Sequence, residues 1–183
     1  MVSSVTDQEL VRRCLDGDTR AFDTLVNTHQ RVLYNVAVRM VHDAEAARDI
    51  VQVAFVKAYS RLDTYDPNHK FFSWIYRIMM NEALNHLARR KQCESIDDHD
   101  ELTAPPVDPC NERDADRRSQ AIEAALLRLS FDHRCIVILR HFVTMSYAEI
   151  AQALEIPEQK VKSRLFEARR RLGVLLAPWS SVS

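Results

Sequence analysis

Glycine is nearly absent from this chain: only 2 of its 183 residues are glycine, against an average usage of about 7%. β-Hairpins and phosphate-binding loops both need residues that tolerate a positive φ, and glycine supplies most of these. Gly17 and Gly173 lie at opposite ends of the chain, so neither a dinucleotide-binding fingerprint nor a Walker loop can be written from them. The shortage excludes nucleotide-binding α/β folds and predicts an all-α chain.

Metal-ligand spacings and long apolar runs are also missing. The four cysteines stand far apart with no C-x-x-C pair, and the seven histidines show no H-x-x-x-H spacing, so we expect free thiols, no metal and no cofactor. The N-terminal segment lacks signal-peptide features, and no uncharged run approaches the ~18 residues of a membrane span. We therefore expect a cytoplasmic protein without membrane insertion. Because no catalytic constellation stands at usable spacing, the sequence argues against an enzyme.

Charge is unevenly distributed, although the formal net charge is only −1. Residues 1–93 hold 13 basic and 11 acidic side chains, residues 94–118 hold 3 and 9, and residues 119–183 hold 9 and 6. The acidic middle contains three prolines and almost no apolar periodicity, so it cannot bury enough surface to offset its ordering entropy. We predict two small helical domains, 1–93 and 119–183, joined by a flexible acidic linker that lets them move relative to each other.

Apolar residues recur with helical period on both sides of the linker. In the first domain we predict helices at 7–15, 19–41, 44–62 and 71–91, and in the second at 118–129, 133–142, 147–154 and 158–176. Asp18, Asp43 and Ser146 stand where helix N-caps are expected.

The last two predicted helices form a helix-turn-helix, interrupted at residues 155–157. At 100° per residue, one stripe of the final helix packs on the core, namely Val161, Leu165, Ala168 and Leu172. The opposite face carries polar and aromatic side chains bordered by cations, which suits a major groove: the face reads base edges and the flanks meet phosphates. A solvated basic helix is the alternative. The candidate DNA-binding residues are Gln159, Lys160, Lys162, Ser163, Arg164, Phe166, Arg169 and Arg170.

Two helices of the first domain carry candidate binding strips. On the 44–62 helix, acidic and apolar side chains share one surface, which is typical of a partner-binding patch; the alternative is that the valines extend the core. The candidates there are Asp49, Gln52, Val53 and Val56.

The 71–91 helix buries Phe71, Phe72, Ile75, Ile78 and Met79 on one face. Its second strip combines aromatic, amide and basic groups, the chemistry of base stacking and phosphate contact, although an aromatic-rich helix can equally be core. The candidates are Trp74, Arg77, Asn81, Asn85 and Arg89.

Three motifs in order resemble a bacterial RNA polymerase sigma factor of the extracytoplasmic-function (ECF) group, in the sigma-70 family. They are residues 49–59, residues 72–78 with Asn81, and residues 147–151 followed by 161–165 with Ala168 and Arg169. The resemblance implies a dissociable specificity subunit without a catalytic role. Its first domain, region two, would bind the clamp of the largest polymerase subunit through the Asp49 helix and the −10 element through the Trp74 helix and the turn before it. Its second domain, region four, would place the 158–176 helix in the −35 major groove.

The chain departs from the family pattern at several positions. Val53 stands where an acidic residue is usual, Glu155 where a turn glycine is common, and Asn85 where the pattern has aspartate. Gln159 and Lys160 replace the usual glycine and threonine. The missing carboxylate at Val53 suggests that modification supplies charge, with Ser60 and Thr64 as the candidate sites for a Ser/Thr kinase.

Other readings explain less of the chain. A helix-turn-helix regulator that binds duplex DNA without acting as a sigma subunit explains only the C-terminal half. A helical adaptor or anti-sigma-like protein explains the acidic and apolar strip but not the basic helix. The resemblance therefore favours a sigma factor whose partners are the polymerase core and promoter DNA. An anti-sigma factor is the alternative to a kinase as the means of control.

Overall fold

The computed structural model describes residues 5–94 and 114–177, and these ranges contain helices, turns and short loops but no strand. Four helices precede the gap: α1 (Asp7–Leu15), α2 (Thr19–Val41), α3 (Ala44–Ser60) and α4 (Phe71–Glu94). Four follow it: α5 (Asp114–Leu127), α6 (Phe131–His141), α7 (Tyr147–Leu154) and α8 (Glu158–Leu176). A short 3₁₀ turn at Leu62–Thr64 follows α3. The all-α prediction is confirmed.

The predicted caps explain where several helices begin. Asp18 accepts a hydrogen bond from the Arg20 backbone N–H at the start of α2. Asp43 accepts two, each 2.9 Å long, from backbone N–H groups in the first turn of α3. Ser146 caps α7 with a capping box. Its hydroxyl accepts a hydrogen bond from the Glu149 backbone N–H, and its own backbone N–H donates to the Glu149 carboxylate. These side chains satisfy donors that have no partner within a helix.

Helix ends in α3, α4, α5 and α6 differ from the predicted ones by one to four residues. α3 ends at Ser60, and the chain turns immediately into the 3₁₀ segment, which buries Leu62. α5 begins at Asp114, inside the segment predicted as linker, because the dense charge there obscured residues with ordinary helix propensity. α6 begins at Phe131, directly after Ser130, two residues before the predicted start.

One continuous apolar core joins the two halves of the structure. α2, α3 and α4 pack on one another, and α8 packs on α6 and α7. Helix α4 also contacts α7, and α2 contacts α5 and α6, so the two halves touch along more than one helix. The linker between them lies mostly outside the described residues, and relative movement of the domains stays a prediction.

Burial on α4 differs from the predicted pattern. Phe71, Ile75 and Met79 are buried as expected, while Phe72 and Ile78 are only partly buried. The fully buried side chains also include Ser73 and Tyr76, which the helical projection did not place in the core. The second domain covers the helix from a side that the projection treated as surface, since α7 packs against α4.

Candidate DNA and polymerase interfaces

The outer face of α8 is open to solvent. Val161, Leu165 and Ala168 are fully buried, so the helix is held from one side, as the predicted stripe requires. On the opposite side Phe166 is 70% exposed. A ring of this size left uncovered is a candidate contact surface. Of the other predicted residues on this helix, Arg164 is partly buried, and the exposed ones are Gln159, Lys160, Lys162, Ser163, Arg169 and Arg170.

The cations of α8 differ in their contacts. Arg164 Nη2 lies 2.8 Å from Asp132 Oδ2 of α6, and Lys162 Nζ lies 2.7 Å from Glu158 Oε1 one turn earlier. Both ion pairs are reachable by solvent and are therefore weak enough to be exchanged for phosphate. No ion pair with any described residue is made by Lys160 or Arg170.

The flank of α8 beside α6 is kept positive. Arg169 Nη2 lies 3.4 Å from the ring of His141. Burial, and after it the charges of Arg169 and Arg140, lower the pKa of His141. The imidazole therefore stays neutral at physiological pH and accepts from Arg169 rather than donating to it, so the guanidinium charge faces solvent.

The predicted strip on α4 is divided between exposed and covered residues. Asn81, Asn85 and Arg89 are exposed. The Trp74 ring is partly buried, with its centroid 5.6 Å from that of Tyr65 and 5.7 Å from that of Phe71. This aromatic packing fixes the indole at the edge of the domain and leaves part of it available for stacking.

Helix α7 and the turn after it contact the polar side chains at the start of α4. The Arg77 guanidinium donates to the Glu155 carboxylate, and Lys70 pairs with Glu149. Gln152 of α7 also hydrogen-bonds to His69 in the turn before α4. The sequence analysis did not single out Lys70 or His69, since nothing local in the sequence indicates that α7 would face them.

These contacts border a cavity of about 760 Å³ between the two domains. Trp74 and Arg77 line it from α4, and Gln152 and Glu155 line it from the helix-turn-helix. The predicted −10 strip and the turn that precedes the predicted −35 helix therefore face each other in this structure.

The predicted strip on α3 lies beside a groove. Asp49 and Gln52 are exposed, Val53 is 40% exposed and Val56 65% exposed, so the valines do not extend the core. The groove has a volume of about 900 Å³ and runs between α2 and α3. Its mainly apolar walls include side chains that the sequence analysis did not assign to a site, namely Phe22, Val26 and Tyr34 of α2 and Phe55 and Tyr59 of α3.

A second set of polar contacts joins the domains on the far side of α4. The guanidinium of Arg134, on α6, donates to the carbonyl oxygens of Met40, Leu126 and Leu127 at 2.6, 3.0 and 2.8 Å. It thus caps the ends of α2 and α5 together. Burial lowers the pKa of Arg134, but an arginine keeps its charge here because its reference value lies so far above neutral.

The two candidate modification sites are accessible. Ser60 is the last residue of α3 and its hydroxyl donates to the Lys57 carbonyl at 3.0 Å. Thr64 is exposed in the 3₁₀ turn, donates to the Arg61 carbonyl at 2.7 Å and lines the interdomain cavity. Ser60 therefore lies on the same helix as Asp49, whereas Thr64 lies near Trp74.

The described residues contain no group of three or more His, Cys, Asp or Glu side chains arranged to hold a metal ion. None of the described helices is both long and apolar enough to cross a membrane.

Two family descriptions match the chain in the order that the motifs predicted. Sigma-70 region 2 matches residues 25–93, and Sigma-70, region 4 matches residues 119–172. Among relatives, the RNA polymerase sigma-H factor of Pseudomonas aeruginosa is 36% identical, with 97% of each chain covered. The ECF RNA polymerase sigma-E factor of Escherichia coli is 31% identical, covering 97% of this chain and 98% of that protein.

Solved structures agree in fold. CnrH, in complex with the cytosolic domain of CnrY, aligns with a TM-score of 0.73 at 28% identity over 94% of this chain and 97% of that one. The sigma factor RpoE of Bartonella quintana, in complex with the anti-sigma factor NepR, aligns with a TM-score of 0.70 at 25% identity over 87% and 98%. The chain therefore belongs to the ECF group of sigma-70 factors and is an alternative sigma factor, a non-enzymatic subunit that directs promoter-specific transcription.

Proposed function

We propose that three surfaces divide the work of this sigma factor. The outer face of α8 enters the major groove of the −35 element, the Trp74 strip of α4 meets the −10 element, and α3 with its neighbouring groove binds the clamp of the largest polymerase subunit. The observation that carries the proposal is the outer face of α8, where an exposed aromatic ring stands among cations on a helix otherwise anchored in the core.

On α8, face and flank have different tasks. Ser163, Phe166 and Arg170 project from the centre of the open face and read base edges, with the arginine able to bond a guanine in two places. Lys162, Arg164 and Arg169 lie to either side and meet phosphates, which supplies affinity without sequence preference. Gln159 and Lys160 stand at the N-terminal end of the helix, where base edges are commonly contacted.

On α4, the exposed part of the Trp74 indole stacks on an unpaired base, and the amides of Asn81 and Asn85 hydrogen-bond to base edges. Arg77 and Arg89 supply charge for the backbone. Lys70, in the turn directly before the helix, adds a cation to the same surface. A single strand suits this arrangement because a ring and several amides are spaced along one helix face rather than gathered in a groove-reading patch.

On α3, Val53 and Val56 give an apolar centre, and Asp49 and Gln52 give its polar border. A helix of the partner, seated in the groove beside them, would cover Phe22, Tyr34 and Tyr59 with its apolar face. The Asp49 carboxylate then pairs with a basic side chain of the clamp. Because Val53 offers no second carboxylate, Val53→Glu should strengthen binding to the core and Val56→Lys should weaken it.

Reconstituted transcription tests the assignment. Core polymerase is combined with the full-length protein and a template from a promoter that depends on it, and run-off product is measured. Phe166→Ala combined with Arg170→Ala should lower product at least tenfold, since each base-reading contact contributes about 1–3 kcal/mol. Arg128→Ala removes an exposed cation of the same domain outside the α8 face and should leave product unchanged. Equal loss from both variants would refute the role of α8.

We infer that an anti-sigma protein is a partner of this chain. The support is that RpoE of Bartonella quintana, which shares this fold, is solved in complex with the anti-sigma factor NepR, and that an apolar groove lies between α2 and α3 here. Such a protein would block transcription by competing with the clamp in the cytoplasm, where polymerase and chromosome are.

Control by a Ser/Thr kinase acting on Ser60 or Thr64 remains the second proposal, supported by the exposure of both hydroxyls. Unchanged core affinity after stoichiometric phosphorylation would eliminate it.

A further inference from the structure

The turn between α7 and α8 holds a glutamate in a conformation that favours glycine. Glu155 follows the last residue of α7 with φ 52° and ψ 42°, in the left-handed region. Glycine is the usual residue at such a helix end because a Cβ is disfavoured there. A glycine would form the same turn without the conformational penalty, so the contacts of the Glu155 side chain are the feature that distinguishes this turn.

The Glu155 carboxylate leaves its own domain and pairs with Arg77 of α4. Two further side chains of α7, at intervals of three residues before Glu155, also contact the first domain. Glu149 pairs with Lys70, and Gln152 hydrogen-bonds to His69. A spacing of three residues places successive side chains on one face of a helix. This face of α7 is therefore directed at the beginning of α4, and we name the pairs Arg77–Glu155 and Lys70–Glu149 the latch.

The latch occupies cations that the proposed function gives to DNA. Lys70 and Arg77 lie about one helical turn before and one turn after Trp74, and the cavity between the domains is lined by Trp74 and Arg77 together with Gln152 and Glu155. Two carboxylates thus stand where phosphates of a single strand would be neutralised. At the centre of the open face of α8, by contrast, Phe166 is 70% exposed and Arg170 makes no ion pair with a described residue.

The latch contacts can be exchanged because they are partly exposed. The Glu155 side chain is 67% exposed and that of Lys70 is 68% exposed. Arg77 Nε is buried and has no hydrogen-bond partner among the described residues, so the closed state leaves one donor of this guanidinium unsatisfied. A ligand that offers more acceptor oxygens, as a phosphodiester backbone does, satisfies Arg77 better than one carboxylate can.

We propose that Glu149 and Glu155 act as an intramolecular competitor of single-stranded DNA for Lys70 and Arg77, so that the −10 surface is covered in the free protein while the −35 helix is not. This inference rests on the proposed role of the Trp74 strip. The proposal gives Glu155 a function: its contact with Arg77 of the other domain offsets the cost of holding a non-glycine residue in the left-handed conformation.

The first measurement asks whether the latch exists in solution, independently of DNA. Free energies of unfolding are compared for the wild-type chain, Arg77→Ala, Glu155→Gln and the double variant, as a double-mutant cycle. A favourable coupling between the two positions is expected. Additive effects would overturn the latch and leave the proposed function untouched.

The second measurement is the affinity of the full-length protein for a fluorescent, mixed-sequence single-stranded DNA at fixed salt. Glu155→Gln combined with Glu149→Gln should raise affinity about fivefold or more, as expected for exposed ion pairs that no longer compete. Glutamine preserves the capping box at residue 149, so α7 is retained. Glu149→Gln and Glu155→Gln are also measured singly, and Glu167→Gln is the matched control for each single variant: it also removes one carboxylate from the second domain, but Glu167 faces His133 instead of α4.

Four outcomes of the single-strand measurement are distinguishable. A rise in the latch variants that exceeds the rise in Glu167→Gln supports the proposal, and duplex binding through α8 should stay unchanged. An equal rise in all variants would mean that net charge alone acts and would overturn it. If Arg77→Ala and Lys70→Ala weaken single-strand binding while the latch variants do not strengthen it, the latch does not compete and the proposed function stands. If neither cation affects binding, the assignment of the α4 strip fails and the latch proposal fails with it.

Discussion

Tyr76 of α4 and Cys135 of α6 lie against each other in the interior, one from each domain. Tyr76 is fully buried and Cys135 is 3% exposed. Burial, followed by the neighbouring Cys135, raises the pKa of Tyr76 well above its usual value, and burial raises the pKa of the Cys135 thiol to about 12. These two side chains, one from each domain, thus form part of the shared core, and we expect separation of the domains to expose them.

Cys135 should therefore report on domain separation. With a pKa of about 12, the thiol carries almost no thiolate at pH 8, and alkylation requires the thiolate and access to it. We expect iodoacetamide to modify the partly buried Cys14 well before Cys135, which should react only when denaturant or a bound partner opens the interface. Peptide mass spectrometry over time measures both sites. Equal rates at Cys14 and Cys135 in native buffer would contradict the packed arrangement.

Truncation of Tyr76 should destabilise the whole chain. Tyr76→Ala removes a fully buried aromatic side chain from the shared core, and such truncations cost about 3–5 kcal/mol. Tyr59→Ala is the comparison, because Tyr59 is 49% exposed and should lower the free energy of unfolding by much less. Urea unfolding monitored by circular dichroism gives both values. Similar losses for the two variants would show that Tyr76 is not buried in solution.

Helix positions were largely predictable because their signals are local. Asp18, Asp43 and Ser146 mark helix starts through hydrogen bonds to groups within a few residues, and the stripe on α8 follows from the helical period alone. The projection of α4 failed at Tyr76, because the surface that buries this ring comes from the second domain, where α7 packs on α4 and Cys135 of α6 lies beside the ring. The spacing of apolar residues along a helix does not indicate a second surface that is buried by a helix distant in the sequence.

The candidate sites divide in the same way. The exposed face of α8 and the strip on α3 could be found from the sequence, since amphipathic helices reveal which residues turn away from the core. The pairing of Arg77 with Glu155 could not, because the ions belong to different domains and nothing in either segment indicates the partner. Glu155 was recognisable only as an unusual residue for a turn, and its contact became visible when the fold brought α7 to α4.

The ion pair at Glu149 predicts a dependence of stability on pH. Lys70, and after it the Ser146 backbone N–H and hydroxyl, lower the pKa of Glu149 from 4.5 to about 2. A carboxylate with a lowered folded-state pKa stabilises the fold fully above its unfolded value and loses that contribution as the pH falls toward the folded value. The stability difference between wild type and Glu149→Gln should thus be constant above about pH 5 and shrink between pH 4.5 and pH 2.

Thermal unfolding of both proteins across this range, at constant ionic strength, measures the difference. Other carboxylates titrate equally in the two proteins, so their contributions cancel. A difference that stays constant down to pH 2 would show that Glu149 is not paired with Lys70 in solution.

Substitutions on α8 should separate affinity from specificity. Lys162→Ala removes a flank cation whose only ion pair with a described residue is with Glu158. The substitution should weaken binding to all duplexes alike and reduce the slope of log affinity against log salt by about 1. Phe166→Ala or Arg170→Ala should instead lower the preference for the best duplex over a scrambled one, by about 1–3 kcal/mol. The duplex is obtained by selection from randomised DNA with the protein itself, and affinities are measured by fluorescence anisotropy at several salt concentrations. If every variant reduced binding to the selected and the scrambled duplex by the same factor, α8 would contribute charge but no base reading, and specificity would have to come from another surface.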